Sequence, residues 1–137
     1  MGRGKYAQVS VEYILIVGFA FLLTIPLLLI FNTQSRDMNQ GISDAQIIRV
    51  ADEINAAINA VYYLGPPSTK TVTLYFPQGI NAVMSTNTSF WFVMESAFGD
   101  YDVPRWPSAP IDVSLKTYEG IHVITITANE FNVSVHD

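Results

Sequence analysis

The chain has 137 residues, of which 50% are hydrophobic and 14% are charged, and its formal charge is −5 at pH 7. Because globular domains carry about 25% charged residues, this composition excludes a disordered polar protein and argues against a fully soluble monomer. The absence of cysteine excludes a disulfide framework and thiol chemistry. The acidic balance argues against nucleic acid as a partner.

The excess hydrophobicity lies near the N-terminus, where residues 13–31 form a run without a formal charge. As a helix this run is about 28 Å long, close to the bilayer hydrocarbon thickness of about 30 Å. Arg3 and Lys5 precede it, and the next basic residue is Arg36. By the positive-inside rule, this pattern predicts a cytoplasmic N-terminus and export of residues 32–137.

Neither a conventional signal peptide nor a plain anchor accounts for the whole segment. A signal peptide has an apolar region of about 7–15 residues with small residues at a cleavage site behind it, and residues 33–35, Thr-Gln-Ser, make a poor site. A plain anchor fits the length but does not need Glu12. Either Glu12 lies in the headgroup region, or it has a function that offsets the cost of a carboxylate at the head of a membrane helix.

The residues around Glu12 form a motif, Gln8-Val-Ser10-Val-Glu12-Tyr13, directly after the short basic leader of residues 1–7. This stretch resembles the class III signal peptide of archaeal type IV pilins, which reads Gln-x-Ser-x-Glu followed by an aromatic residue. The resemblance implies that a prepilin peptidase recognises Gln8, Ser10, Glu12 and Tyr13 and cleaves between Ala7 and Gln8. The hydrophobic helix then stays on the mature subunit.

The resemblance also implies a function: a structural pilus subunit, with no enzyme activity, cofactor or metal. The subunit would polymerise through its N-terminal helix into a surface filament used in adhesion. Its partners would be identical subunits, the prepilin peptidase, the assembly ATPase with its membrane platform, and membrane lipid before assembly. In the family, the residue matching Glu12 is proposed to pair with the N-terminal amine of a neighbouring subunit, here that of Gln8.

Three other residues of the segment have candidate roles. Gly18 allows close approach of another helix. Pro26 removes a helical hydrogen bond and provides a flexible point for assembly, although a merely tolerated proline fits the membrane equally well. The hydroxyl of Ser10 either takes part in recognition or caps the helix.

Helical spacing of apolar residues continues beyond the run, at Met38, Ile42, Ala45, Ile48, Ala51, Ile54, Ala57 or Ile58, and Val61. Gly65-Pro66-Pro67 ends the pattern. The spacing predicts a helix from about residue 9 to 64, roughly 84 Å long and longer than a small domain can bury. The chain thus divides into a leader (1–7), a long helix (8–64, with 13–31 in the membrane or filament core) and a β-sheet domain (65–137).

Beyond residue 67 the hydrophobic period changes to two. Alternation predicts strands over residues 71–76, 111–116, 121–127 and 131–135. Residues 90–94 are apolar on both faces, which predicts either a central strand or a strand with a partner surface. We expect an antiparallel sheet of about four to six strands, with hairpin turns at Glu119-Gly120 and Asn129-Glu130 and the exported half of the helix on one face. The fold class is α+β, and the resemblance implies the lollipop shape of type IV pilins.

The exported half contains a few further candidates. Asn87-Thr-Ser and Asn132-Val-Ser are N-glycosylation sequons. The loop over residues 103–110 presents Trp106, which either contacts a receptor or another subunit or pins its own loop. His122 and His136 lack spaced partners, which predicts surface histidines rather than a metal site.

Two alternatives to the pilin remain. An archaellin-like filament subunit shares the same plan, although the Gln-x-Ser-x-Glu motif favours a pilin. A minor pilin-like protein or a single-pass binding module anchored by residues 13–31 is the alternative from another class. The sequence has no glycine-rich phosphate loop after a strand and no His-Glu-x-x-His motif, which argues against an enzyme.

Overall fold

The computed structural model describes residues 3–96 and 99–137. One long helix, α1 (Arg3–Leu64), comes first. The strands that follow are β1 (Thr69–Phe76), β2 (Ile80–Ser85), β3 (Phe90–Met94), β4 (Tyr101–Arg105), β5 (Ile111–Ser114), β6 (Gly120–Ala128) and β7 (Val133–His136). A long apolar N-terminal helix followed by largely antiparallel sheets confirms the predicted α+β class.

The chain divides into two compact units, Met1–Asn39 and Gln40–Asp137. In the first unit, the described residues are all helical. The second unit contains the remainder of α1 together with all the described strands, and it holds the buried core.

The helix ends as its last residues predict. Gly65 has a φ of 77°, in the left-handed region that glycine enters without steric cost. Its N–H donates to the carbonyls of Val61 and Tyr62, each at 3.1 Å, which satisfies carbonyls that the last turn leaves open. Pro66 and Pro67 follow and cannot continue the helix.

The strands form two sheets rather than the one predicted. Within the described residues there are seven strands, ordered β1-β6-β7-β5 in one sheet and β2-β3-β4 in the other. The sequence-based prediction missed β2 and β4, since neither alternates clearly and β4 contains Pro104. Because β4 is the edge strand of its sheet, the missing N–H of Pro104 is tolerated there. Residues 103–105, predicted as loop, thus belong to a strand.

The pairing corrects one of the two predicted hairpin turns and confirms the other. β5 pairs in parallel with β7, and β6 pairs with β1 and β7. Glu119-Gly120 therefore does not close a hairpin between β5 and β6. The turn at Asn129 does join the antiparallel strands β6 and β7, with its N–H donating to the carbonyl of Asn132 at 2.8 Å.

A single core lies between α1 and the two sheets. All seven strands contribute at least one buried apolar side chain to it. From the helix, the buried residues are Ile47, Val50, Ala51, Ile54, Ala57, Ile58 and Val61. Their spacing of three and four places them on one face of α1, as an amphipathic helix requires.

The structure divides the apolar positions of α1 that share helical spacing. Met38, Ile42, Ala45 and Ile48 are exposed. Two apolar stripes overlap in this part of the helix, and the sheets cover the one that begins at Ile47. From Ala51 onward, the apolar positions at helical spacing are buried.

Candidate functional site

The N-terminal half of α1 presents an almost continuous apolar surface. Between Val11 and Phe31, fifteen large apolar side chains each expose more than half of their area. Among the described residues, α1 is the one helix long and apolar enough to cross a membrane, and its most apolar stretch is unburied. Since burial of one such side chain contributes about 1.5–3 kcal/mol, covering this surface with apolar groups would be favourable.

The polar side chains of this segment bond back to their own helix. Thr24 Oγ1 donates to the carbonyl of Ala20 at 2.7 Å, and Thr33 Oγ1 donates to that of Leu29 at 2.9 Å. Such bonds satisfy the hydroxyls without any external partner. The segment is therefore compatible with an apolar environment despite its threonines.

The motif residues fall inside α1. Ser10, Glu12 and Tyr13 are exposed within about one turn of α1 near its start. Because the helix begins at Arg3, Ser10 is not its N-cap in the uncleaved chain. The side chains of Ala7 and Gln8, at the predicted processing site, lie outside the described residues, as do Met1 and Gly2 of the leader.

Gly18 and Pro26 leave the helix uninterrupted. A Cβ placed on Gly18 would meet nothing within 4 Å in the protomer, so any reason for a small residue there lies in contact with another molecule. Pro26 lies within α1, which is helical on both sides of it.

A second apolar surface lies on the part of α1 that packs on the sheets. We call Ile42, Ala45 and Ile48 the outer stripe; all three are exposed, although Ile47 beside them is fully buried. Residues three apart lie on adjacent turns of one helix face, so the outer stripe is contiguous. Sequence reasoning found these residues by their helical spacing but did not indicate whether the core covers them.

Polar contacts fix α1 to the three-stranded sheet beside the outer stripe. Arg105 Nε donates to Asp52 Oδ1 at 2.6 Å, and its guanidinium also reaches the carbonyl of Ile48 at 3.4 Å. The hydroxyl of Tyr101 donates to the carboxylate of Asp44. Burial and this bond raise the pKa of Tyr101 from 10 to about 12.

The loop after β4 runs along the helix. The N–H of Ser108 donates to Asn59 Oδ1 at 2.8 Å, and Pro107 and Ala109 are buried. Trp106 is 69% exposed. The ring of Trp106 therefore does not pin the loop, which is anchored by Pro107, Ser108 and Ala109. Of the two predicted roles of Trp106, an external contact stays a prediction.

His122 is not the surface histidine that the sequence suggests. It is fully buried, its Nε2 lies 2.8 Å from the carbonyl oxygen of Tyr118, and its Nδ1 lies 2.5 Å from Asp137 Oδ2. Its ring stacks on Phe76 with centroids 4.0 Å apart. The parity of β6 could have indicated this position, because His122 alternates in phase with Ile124 and Ile126. His136, by contrast, is exposed.

The two sequons have different surroundings. Asn87 is exposed in the turn between β2 and β3, whereas Asn132 is half-buried immediately before β7. The described residues contain no group of three or more histidines and carboxylates placed to hold a metal ion.

Comparison with known proteins yields no match to a family model, to a curated protein or to a solved structure.

Proposed function

We propose that this chain is a structural subunit of an archaeal type IV pilus, cleaved before Gln8 and polymerised through its N-terminal helix into a surface filament used in adhesion. The observation that carries the proposal is the motif Gln8-x-Ser10-x-Glu12-Tyr13, placed directly before the apolar helical surface of residues 13–31. A processed helix of this kind has two environments, the membrane before assembly and a core of identical helices afterwards.

Cleavage would change the charge at the head of the helix. Residues 1–7 contain Arg3 and Lys5 and no acidic side chain, so their removal takes the formal charge from −5 to −5 − 2 = −7 and creates an amine on Gln8. Glu12 is costly in an apolar environment without a partner. Pairing of its carboxylate with the Gln8 amine of a neighbouring subunit removes that cost only on assembly, which also fixes the register between subunits.

Exposure of the outer stripe and of Trp106 supports the same proposal. A helix that continued as an ordinary amphipathic element would show polar residues where Ile42 and Ile48 lie. In the filament, the outer stripe extends the helix–helix contact beyond the membrane segment. Trp106 then serves either a subunit contact or the adhesive surface, since exposed tryptophans are frequent contact residues.

The direct test is mass spectrometry of the native protein together with electron microscopy of the cell surface. The proposal expects pili whose main component begins at Gln8. A full-length chain with Met1 intact in the membrane, and no filament that depends on it, would instead establish the single-pass anchored module. Replacing Ala7 or Gln8 by a bulky residue should leave the precursor uncut.

Glu12→Ala separates processing from assembly. We expect cleavage before Gln8 to continue while surface pili are lost. Glu130→Ala, which removes an exposed carboxylate from the β6–β7 turn, is the matched control and should leave pili unchanged. Normal pili in the Glu12 variant would refute the proposed pairing.

A further inference from the structure

Two asparagines of the chain, Asn87 and Asn132, begin sequons, and both lie in the part whose export the proposed function requires. Sequence alone treats them alike, because each is an Asn-x-Ser triplet. We propose that Asn87 carries an N-linked glycan and that Asn132 remains unmodified. The inference rests on the proposed function only through the export of residues 32–137.

The turn that holds Asn87 is closed by its neighbours. The N–H of Thr86 donates to the carbonyl of Ser89 at 2.7 Å, the hydroxyls of the two residues lie 2.7 Å apart, and the N–H of Ser89 donates to Thr86 Oγ1 at 3.1 Å. Asn87 and Thr88 are exposed between them. The side chain of Asn87 can thus be modified with the turn intact.

The backbone of this sequon lies outside the sheets. β2 ends at Ser85 and β3 begins at Phe90, so Asn87, Thr88 and Ser89 lie entirely between strands. Exposed turns of this kind accept bulky additions readily, since no strand pairing has to break. Ser89 is half-buried, and the carbonyl of Asn87 accepts a hydrogen bond from the N–H of Ile111 in β5 at 3.0 Å. Presenting Ser89 to a transferase disturbs this bond and the turn bonds, each of which contributes only about 0.5–1.5 kcal/mol.

Asn132 is held differently. It is half-buried, and its Oδ1 accepts a hydrogen bond from Asn129 Nδ2 at 3.1 Å. The other two residues of its sequon, Val133 and Ser134, belong to β7, which pairs with β6 on one side and with β5 on the other. Val133 is also in the core.

Engagement of this second sequon would therefore require unfolding. A transferase that needs an extended Asn-x-Ser segment would have to separate β7 from both neighbouring strands and expose Val133. The hydroxyl of Ser134 is also engaged, since it accepts from Asn129 Nδ2 at 3.3 Å and lies 3.5 Å from the carbonyl oxygen of Thr127. In the folded domain, Asn87 is the accessible acceptor.

The chemistry is transfer of an oligosaccharide from a lipid-linked oligosaccharyl phosphate or pyrophosphate, supplied with its transferase by the exporting cell. Nδ2 of Asn87 forms a bond to the anomeric carbon, and the bond from that carbon to the phosphate oxygen breaks. The lipid phosphate leaves with the electron pair, and the amide nitrogen loses one proton to a base of the transferase. The product is a neutral glycosylamide, which adds a solvating group to an exposed turn.

Trypsin separates the two sequons for measurement. Cleavage after Lys70 and Arg105 releases a peptide over residues 71–105 with Asn87, and cleavage after Lys116 releases residues 117–137 with Asn132. The experiment is peptide mass spectrometry of the protein purified from its own cells, in which a second exported protein is shown to carry N-linked glycan. We expect a glycan mass on the first peptide and an unmodified second peptide.

Variants test the assignment. Ser89→Ala should abolish the added mass, Ser89→Thr should retain it, and the matched change Ser134→Ala should leave it unaltered. An unmodified first peptide, or a glycan on the second, would overturn the proposal.

The N-terminal peptide in the same digest reports on the proposed function separately. A chain that begins at Gln8 with an unmodified Asn87 refutes only the glycan. A chain that retains Met1 and forms no filament refutes the pilus subunit. In that case the mass of the peptide over residues 71–105 still shows whether Asn87 carries a glycan, because an anchored chain exposes the same domain.

Discussion

Ile47 and Ile48 are neighbours in α1, yet Ile47 is fully buried while Ile48 exposes 46% of its area. Successive residues of a helix differ by about 100° in direction, so one points into the core beneath the sheets and the other away from it. The same alternation separates Val50 and Ala51, which are buried, from Ile42 and Ala45, which are not. The helix thus has one apolar face that its own domain covers and another that it leaves open.

Introducing charge into the outer stripe should block assembly without unfolding the domain. In Ile48→Lys the ammonium group is solvated in the protomer but would be buried without a partner between helices in a filament, which is unfavourable. We expect cleavage before Gln8 to be normal and surface pili to fall at least about tenfold, the effect of about 1.4 kcal/mol per contact. Pili are counted by electron microscopy.

Gln46→Lys is the matched control, because it places the same charge on an exposed polar position of α1 that borders β1. It should leave pili near the normal number. If Ile48→Lys cells were fully piliated, the outer stripe would have to face solvent in the filament.

Removing bulk from the buried face of α1 should lower the stability of the domain, whereas removing bulk from the outer stripe should not. Ile54 is fully buried, and Ile54→Ala should lower the free energy of unfolding by about 2–5 kcal/mol through lost apolar contact and a residual cavity. Ile42→Ala, on the outer stripe, should change it by less than about 0.5 kcal/mol. Chemical unfolding of the full-length chain in detergent, followed by tryptophan fluorescence, measures both. Equal losses in the two variants would contradict the assignment of the two faces.

These two faces show where the sequence was informative and where it was not. The end of the helix was predictable because Gly65, Pro66 and Pro67 act locally on the backbone. Which of two apolar stripes the sheets would cover was not, because both have helical spacing and the choice depends on strands far along the chain. Helix propensity and hydrophobic spacing identify an apolar face of a helix, but they do not identify which part of the fold packs on it.

The same limit of sequence-based prediction applies to the sheets. Alternation located β1 because its inward residues Val72, Leu74 and Phe76 are apolar, and it located β6 even though His122 is among the inward residues of that strand. It gave no information on pairing, so the parallel contact of β5 with β7 and the division into two sheets were missed. β4 was missed because Pro104 and Asp102 argue against a central strand, although an edge strand accepts them.

For the candidate site, the motif at Gln8–Tyr13 can be recognised from linear sequence alone, and its processing stays a prediction. The difference between the two sequons could not be predicted, because it depends on whether Ser89 and Ser134 belong to a turn or to a paired strand.

The contact between Tyr101 and Asp44 should make stability depend on pH in the alkaline range. Burial and the bond to Asp44 raise the pKa of Tyr101 to about 12 in the folded chain, above its ordinary value of 10. Because the folded-state pKa is the higher one, the stabilisation is fully present below pH 10 and is lost as the pH rises towards 12. Tyr101→Phe should lower stability at pH 7 by about 1 kcal/mol and show a shallower decline between pH 10 and 12.

The measurement is chemical unfolding at a series of pH values, with the wild-type chain and the variant compared at each. Hydrogen bonding to Glu119 also raises the pKa of Tyr75. Tyr75→Phe is therefore the control, because it removes a second tyrosine of raised pKa, on the exposed face of β1. The difference between the two variants isolates Tyr101. Identical pH profiles for wild type and Tyr101→Phe would show that the contact with Asp44 does not contribute.

The buried contact between His122 and Asp137 should depend on a hydrogen-bonding partner rather than on charge. Nε2 of His122 faces a carbonyl, which only accepts, so it must donate; Nδ1 then needs either a carboxylate to which it donates or a group that donates to it. Asp137→Ala removes the partner of a fully buried nitrogen and should cost about 1–3 kcal/mol in the free energy of unfolding. Asp137→Asn, whose Nδ2 can donate to a neutral His122, should retain most of the stability. Thermal unfolding of the two variants at pH 7 distinguishes them, and an asparagine variant as unstable as the alanine variant would show that the ionised carboxylate itself is required.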